Sequence, residues 1–218
     1  MNPFAKAAIL TVVVVFFAAI LVAQVDAWRT QELRSSIDQV VLQSESNRLM
    51  QRMADLIPTQ AQKCAFFNSS GELSKVRAYE LATRIQDYQR ANFFGSDYAE
   101  LKQTYFISLS DLYLFTMEQN KECPQNRETP LLYFYREQNC PQCRAQDAVL
   151  ERVAARCGRM RIFAFPTDAN YPFLSALAGK MSIKDAPQLV VGETPMPAGL
   201  QDDGALVRAL NADGASCQ

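Results

Sequence analysis

The chemistry of this chain concentrates at Cys140-Pro141-Gln142-Cys143, two thiols separated by two residues and preceded by an apolar, aromatic run, residues 131–135. Thiols at this spacing can close a disulfide with each other or supply half of a zinc site. A tetrahedral structural zinc needs two further closely placed ligands, and the chain has no histidine and no second C-x-x-C. The spacing therefore points to a redox dithiol that uses no metal and no organic cofactor. From Gln142 to about Arg156, Ala145, Ala148, Val149, Leu150 and Val153 recur at helical spacing, which puts Cys140 at a helix N-terminus. Unpaired backbone N–H groups and the positive end of the helix dipole stabilise a thiolate there. Cys140, exposed in its turn, is thus the expected nucleophile, and Cys143, one turn inside, the resolving thiol. Pro141 and Gln142 lie between them and help set the reduction potential.

The elements that must position this pair can be read on either side of it. Residues 131–135 are short, β-prone and bounded by Pro130 and by the polar stretch 137–139, as expected of a central strand in a mixed sheet. Residues 161–166 read as a second strand and 171–180 as a second helix. Asp185-Ala186-Pro187-Gln188 leads into an apolar strand at 189–191, and 192–199 turns into another short strand. Asp202 or Asp203 caps a last helix ending near Leu210.

In this order of elements, with Cys140-Pro141-Gln142-Cys143 after one strand and Ala186-Pro187 before another, residues 129–212 resemble the thioredoxin-like superfamily. The resemblance implies a β-α-β-α-β-β-α domain over 131–218, with the catalytic pair Cys140 and Cys143. It also implies a cis Ala186-Pro187 bond that sets Ala186 beside the dithiol and lets its backbone pair with a bound substrate strand. Two departures stand out. Asn139 replaces the tryptophan that precedes the dithiol in thioredoxin proper, and Phe134 occupies the place of its buried acid.

Residues 7–23 (AAILTVVVVFFAAILVA) are an uncharged apolar run of seventeen, with Lys6 before it and Asp26 after it. They read as a membrane segment: either a transmembrane signal anchor over 1–27, or a signal peptide cut after Val25-Asp26-Ala27. The charge placement orients the N-terminus inward and the rest outside the cytoplasmic membrane. An α-helical stalk and hairpin is expected over 28–120. Its first part carries an apolar stripe at Leu33, Ile37, Val40, Val41, Leu49, Met50, Met53 and Ile57; helices over 72–94 and 97–119 follow, with Gly95 as the residue after one helix and Ser96 as the N-cap of the next. The aromatic residues of this region, Tyr79, Tyr88, Tyr98, Tyr105, Phe106, Tyr113 and Phe115 among them, either pack the helices together or form a partner-docking surface. Residues 121–130, with Pro124 and Pro130, form a linker.

Six cysteines allow fifteen pairings. Antiparallel helices of similar length bring Cys64 and Cys123 to one end of the hairpin. In the thioredoxin-like arrangement the dithiol helix and the last helix run the same way on one sheet face, which brings Cys157 to Cys217. The alternative is four buried free thiols; an exported location favours the bridges. A net charge of −1 with evenly spread basic residues leaves no stripe for nucleic acid. The expected function is thiol–disulfide exchange with exported protein thiols or disulfides, alongside a membrane redox partner, at the outer face of the cytoplasmic membrane. The alternative is a non-enzymatic envelope interaction protein in which the dithiol is a static bridge and the helices bind a partner.

Overall fold

The computed structural model describes residues 11–24, 42, 45, 46, 49, 52–54, 56–92, 94–169 and 171–218. Residues 11–24 form an exposed helix. Among the described residues no helix is long and apolar enough to cross a membrane, which corrects the expected transmembrane helix and the fold class built on it. The chain is instead a helix-rich protein with one mixed sheet. Of the expected stalk stripe, Leu33, Ile37, Val40, Val41 and Met50 lie outside the described residues, while Leu49 and Met53 are exposed.

Two long helices follow, α1 (Gln60–Arg90) and α2 (Ser96–Glu122). Helix α1 starts well before Glu72, because Thr59 caps it by accepting the Gln62 N–H. The stretch Asn68-Ser69-Ser70-Gly71 has the composition of a loop yet lies in mid-helix. Its small residues permit close approach to α2: a Cβ on Gly71 would sit 3.1 Å from the Phe115 ring. Two of the buried hydroxyls are satisfied inside their own helices, Ser74 donating to the Ser70 carbonyl at 3.2 Å and Thr116 to that of Leu112 at 2.8 Å. The turn also differs from expectation. Asn92, with φ 55°, supplies the left-handed residue that ends α1, whereas Gly95, at φ −79°, is the N-cap of α2 and Ser96 its first residue.

A short 3₁₀ turn (Pro124–Asn126) leads into β1 (Thr129–Tyr135), followed by α3 (Pro141–Ala154), β2 (Cys157–Gly158), β3 (Met160–Pro166), α4 (Pro172–Lys180), β4 (Gln188–Val191), β5 (Thr194–Pro195), α5 (Asp203–Asp213) and β6 (Ser216–Cys217). The main sheet has the order β3-β1-β4-β5, with β1 parallel to β3 and antiparallel to β4. Alternation along β1 divides the core. Leu132 and Phe134 join Phe106, Leu109, Leu112 and Tyr113 of α2, with Leu174 and Leu177 of α4. Leu131 and Tyr133 face Val149, Leu150 and Val153 of α3 and Leu206 and Leu210 of α5. The hairpin therefore packs directly on the sheet. Its aromatic residues split accordingly: Phe106, Tyr113 and Phe115 are buried, and Tyr79 and Phe94 are exposed.

All six cysteines are bridged, Cys64 to Cys123, Cys140 to Cys143 and Cys157 to Cys217. Cys64 lies one turn inside α1 rather than ahead of it, and Cys123 follows α2 directly. The last bridge lies within a small ribbon in which β2 pairs with β6, Cys157 opposite Cys217.

Candidate active site

Strand β1 ends at Tyr135 and delivers the chain through an exposed loop, 136–139, to the start of α3. Asn139 takes φ 53°, a left-handed conformation that asparagine tolerates better than most residues. Cys140 then serves as the N-cap and Pro141 opens the helix, where its missing N–H costs nothing. The Cys143 N–H donates to Cys140 Sγ at 3.2 Å. That donor and the positive end of the α3 dipole are the groups that would stabilise a Cys140 thiolate once the bridge opens. Pro141 and Gln142 are exposed at the rim. The cysteines are not: Cys140 is 8% exposed and Cys143 3%, which corrects the expected exposure of Cys140.

The Ala186-Pro187 bond is cis, and both residues are buried. The Ala186 carbonyl oxygen lies 4.0 Å from Cys140 Sγ. Cys140, Cys143 and Ala186 form one small apolar cluster, with Tyr135 packed against it. Residues separated by more than forty positions in sequence thus meet at one end of the sheet.

Polar tethers hold the loops in place. The Arg136 N–H points to Cys143 Sγ at 3.4 Å, and its guanidinium donates to Asp185 Oδ1 at 2.6 Å. The same Oδ1 accepts the Ala186 N–H at 2.8 Å. The Ala186 N–H and the Arg136 guanidinium hold the Asp185 carboxyl below its usual range. Asp168, from the loop after β3, accepts the Glu137 N–H at 3.1 Å and the Gln138 N–H at 3.4 Å. Lys102 of α2 forms a salt bridge with the Glu137 carboxylate, so the hairpin reaches the dithiol loop. Two buried glutamines act behind the site. Gln188 accepts the Lys184 N–H at 3.0 Å and donates to the Met196 carbonyl at 3.0 Å; Gln146 accepts the Gln201 N–H at 2.8 Å.

Beneath the first turn of α3, the Tyr133 hydroxyl donates to the Cys143 carbonyl at 2.9 Å. Burial first, then the nearby Asp147 carboxylate, raises the Tyr133 pKa and keeps the phenol protonated. Burial likewise raises Tyr135, whose ring stacks on that of Tyr133 at 5.4 Å. Asp147 is itself raised, first by desolvation, with the nearby Tyr133 hydroxyl opposing the shift.

Sequence reading placed Cys140, Cys143, Ala186 and Pro187 but missed Lys102, Tyr133, Arg136, Gln146, Asp168, Asp185 and Gln188 as supports. Asp185 carried a signal, as a charged residue directly preceding Ala186-Pro187, and Arg136 a weaker one, as the charged residue that ends the apolar run 131–135. Lys102 and Asp168 carried none, because their contacts depend on how distant elements pack. Comparison with protein-family models finds no match, and comparison with curated proteins finds no significant relative.

Proposed function

We propose that this chain is a thiol–disulfide oxidoreductase of the thioredoxin-like kind, exchanging disulfides with exported protein substrates through Cys140 and Cys143. The observation that carries the reading is the meeting of a bridged Cys140–Cys143 pair at a helix N-terminus with the Ala186 backbone, 4.0 Å from Cys140 Sγ. A surface of this kind lets a substrate chain lie beside the sulfur that reacts. Three bridges and no free cysteine support an oxidising, extracytoplasmic setting.

The exchange is two displacements. A substrate thiolate attacks Cys140 Sγ, the Cys140–Cys143 bond breaks, and Cys143 leaves as a thiolate that takes up a proton. A second substrate thiolate then attacks the substrate sulfur of the mixed disulfide. It leaves with a new substrate disulfide and releases Cys140, its negative charge stabilised by the α3 N-terminus. Two electrons have passed from the substrate dithiol to the protein. Reduction of a substrate disulfide runs through the same intermediate in reverse.

Cys143→Ser tests this directly. Without the resolving thiol, mixed disulfides should accumulate at Cys140 and appear on non-reducing gels, whereas Cys140→Ser should give none. Absence of Cys140-dependent adducts would sink the exchange mechanism. The burial of both cysteines favours a second reading, a static bridge in a non-enzymatic interaction protein. A reduction potential below about −300 mV, with no turnover on a scrambled substrate, would select it.

A further inference from the structure

Ala186 presents a backbone carbonyl to Cys140, yet its N–H is already taken by the side chain of the preceding residue, Asp185. A substrate chain lying along Ala186 must supply an acceptor for that N–H and therefore displace the carboxylate. Displacement has a second consequence. The Ala186 N–H and the Arg136 guanidinium both end on one atom, Asp185 Oδ1, so a rotation that frees the first also draws that oxygen from the second. Arg136 is then short of an anion. Its neighbouring carboxylates are engaged elsewhere, Glu137 with Lys102 and Asp168 with the Glu137 and Gln138 amides. Both members of the latch are accessible, with side chains 47% exposed for Arg136 and 65% for Asp185.

From this geometry we infer that Asp185 is a positioning residue that occupies the substrate's place at Ala186, and that Arg136 selects substrates carrying a carboxylate beside the reacting cysteine. The inference rests on the oxidoreductase reading, with the substrate chain lying along Ala186. On binding, the substrate backbone replaces Asp185 at the Ala186 N–H, and a substrate Asp or Glu replaces it at Arg136. Carboxylate is exchanged for carboxylate, so the guanidinium stays paired throughout. A substrate with a neutral or basic neighbour leaves Arg136 unpaired and binds less well.

The test uses the whole protein and two disulfide-containing peptides that differ only in Asp or Asn beside one cysteine, with exchange followed as KM and kcat. The wild type should show a KM for the Asp peptide about threefold lower, the size expected of one accessible charge pair. Arg136→Gln should abolish the preference and Arg136→Lys should keep part of it, a pattern that a purely structural role would not give. Asp185→Ala should lower KM for both peptides by about fivefold, because the N–H no longer has to be vacated, while the Asp preference persists. Equal KM values for the two peptides in the wild type, or an unchanged KM in Asp185→Ala, overturn the latch while leaving the exchange chemistry standing. No Cys140-dependent exchange with either peptide overturns the oxidoreductase reading and the latch with it.

Discussion

The inner bridge and the two outer ones use the same covalent bond in opposite settings. Cys64–Cys123 and Cys157–Cys217 join residues 59 and 60 positions apart, whereas Cys140 and Cys143 are 3 apart. A long closed loop takes much entropy from the unfolded chain and a four-residue loop takes little. Exposure does not follow the same division. Cys64 and Cys123 are buried, but Cys157 and Cys217 are only half-buried and more accessible than the inner pair. What sets Cys140 apart is therefore electrostatic: it alone of the six is a helix N-cap whose sulfur accepts a backbone N–H of the turn it opens. Access and thiolate stabilisation make different forecasts, so their contributions can be separated by experiment.

The largest effect should come from deleting a long-range bridge. Replacing Cys64 and Cys123, or Cys157 and Cys217, by serine should cost roughly 4 kcal/mol in urea unfolding, against roughly 2 kcal/mol for Cys140 and Cys143. Equal losses for all three would show that loop length does not govern their contributions. Next is reactivity. Mild dithiothreitol, alkylation and peptide mapping should label Cys140 and Cys143 at least about tenfold faster than any other cysteine, with the buried Cys64–Cys123 pair last. If Cys157 and Cys217 are labelled first, access outweighs the helix N-terminus and the inner bridge loses its claim to special reactivity.

A smaller effect concerns the hairpin. Lys102→Met should lower stability by about 1 kcal/mol or less, with faster amide exchange at Glu137 and Gln138; the reversed pair Lys102→Glu with Glu137→Lys should restore part of the protection. Unchanged exchange would mean that the hairpin covers the sheet without steadying the dithiol loop. The smallest is at Tyr113, whose buried hydroxyl lacks a hydrogen-bond partner. Tyr113→Phe should stabilise by up to about 1 kcal/mol, because an unsatisfied polar group leaves the core. A clear loss in thermal unfolding would point to a partner for that hydroxyl.

Local chemistry is what the sequence made legible. The apolar strand at 131–135, the dithiol opening a helix and the proline before the strand at 189–191 each announce themselves through neighbouring residues, and so does the start of α5, capped by Asp202; its end lies at Asp213, closed by Gly214 at φ 103°, beyond the expected Leu210. Small residues misled, because the same composition suits a loop and a tight helix crossing; Ser70 and Gly71 do the second. Gly95 misled similarly, since the left-handed turn was made by Asn92. The apolar run at 7–23 has the composition of a membrane segment, yet among the described residues no helix is long and apolar enough to cross a membrane. The tethers from Lys102 and Asp168 depend on tertiary packing, which a pattern of neighbours does not encode. Asp185 was visible beside Ala186-Pro187, but its competition for the Ala186 N–H required coordinates.

The placement of the bridges also fixes how the protein would respond to tension. A pull transmitted through Cys64–Cys123 and Cys157–Cys217 bypasses everything each bridge encloses, including most of α1, all of α2, and β3 with its neighbours. Between the two bridges the load falls on residues 124–156, which hold β1 and the dithiol helix. Fully drawn out with the inner bridge open, that stretch is at most roughly 120 Å long at about 3.3–3.6 Å per residue. Residues 65–122 and 158–216 become extensible only when the outer bridges are reduced, so between the bridges force reaches the segment that carries the dithiol first.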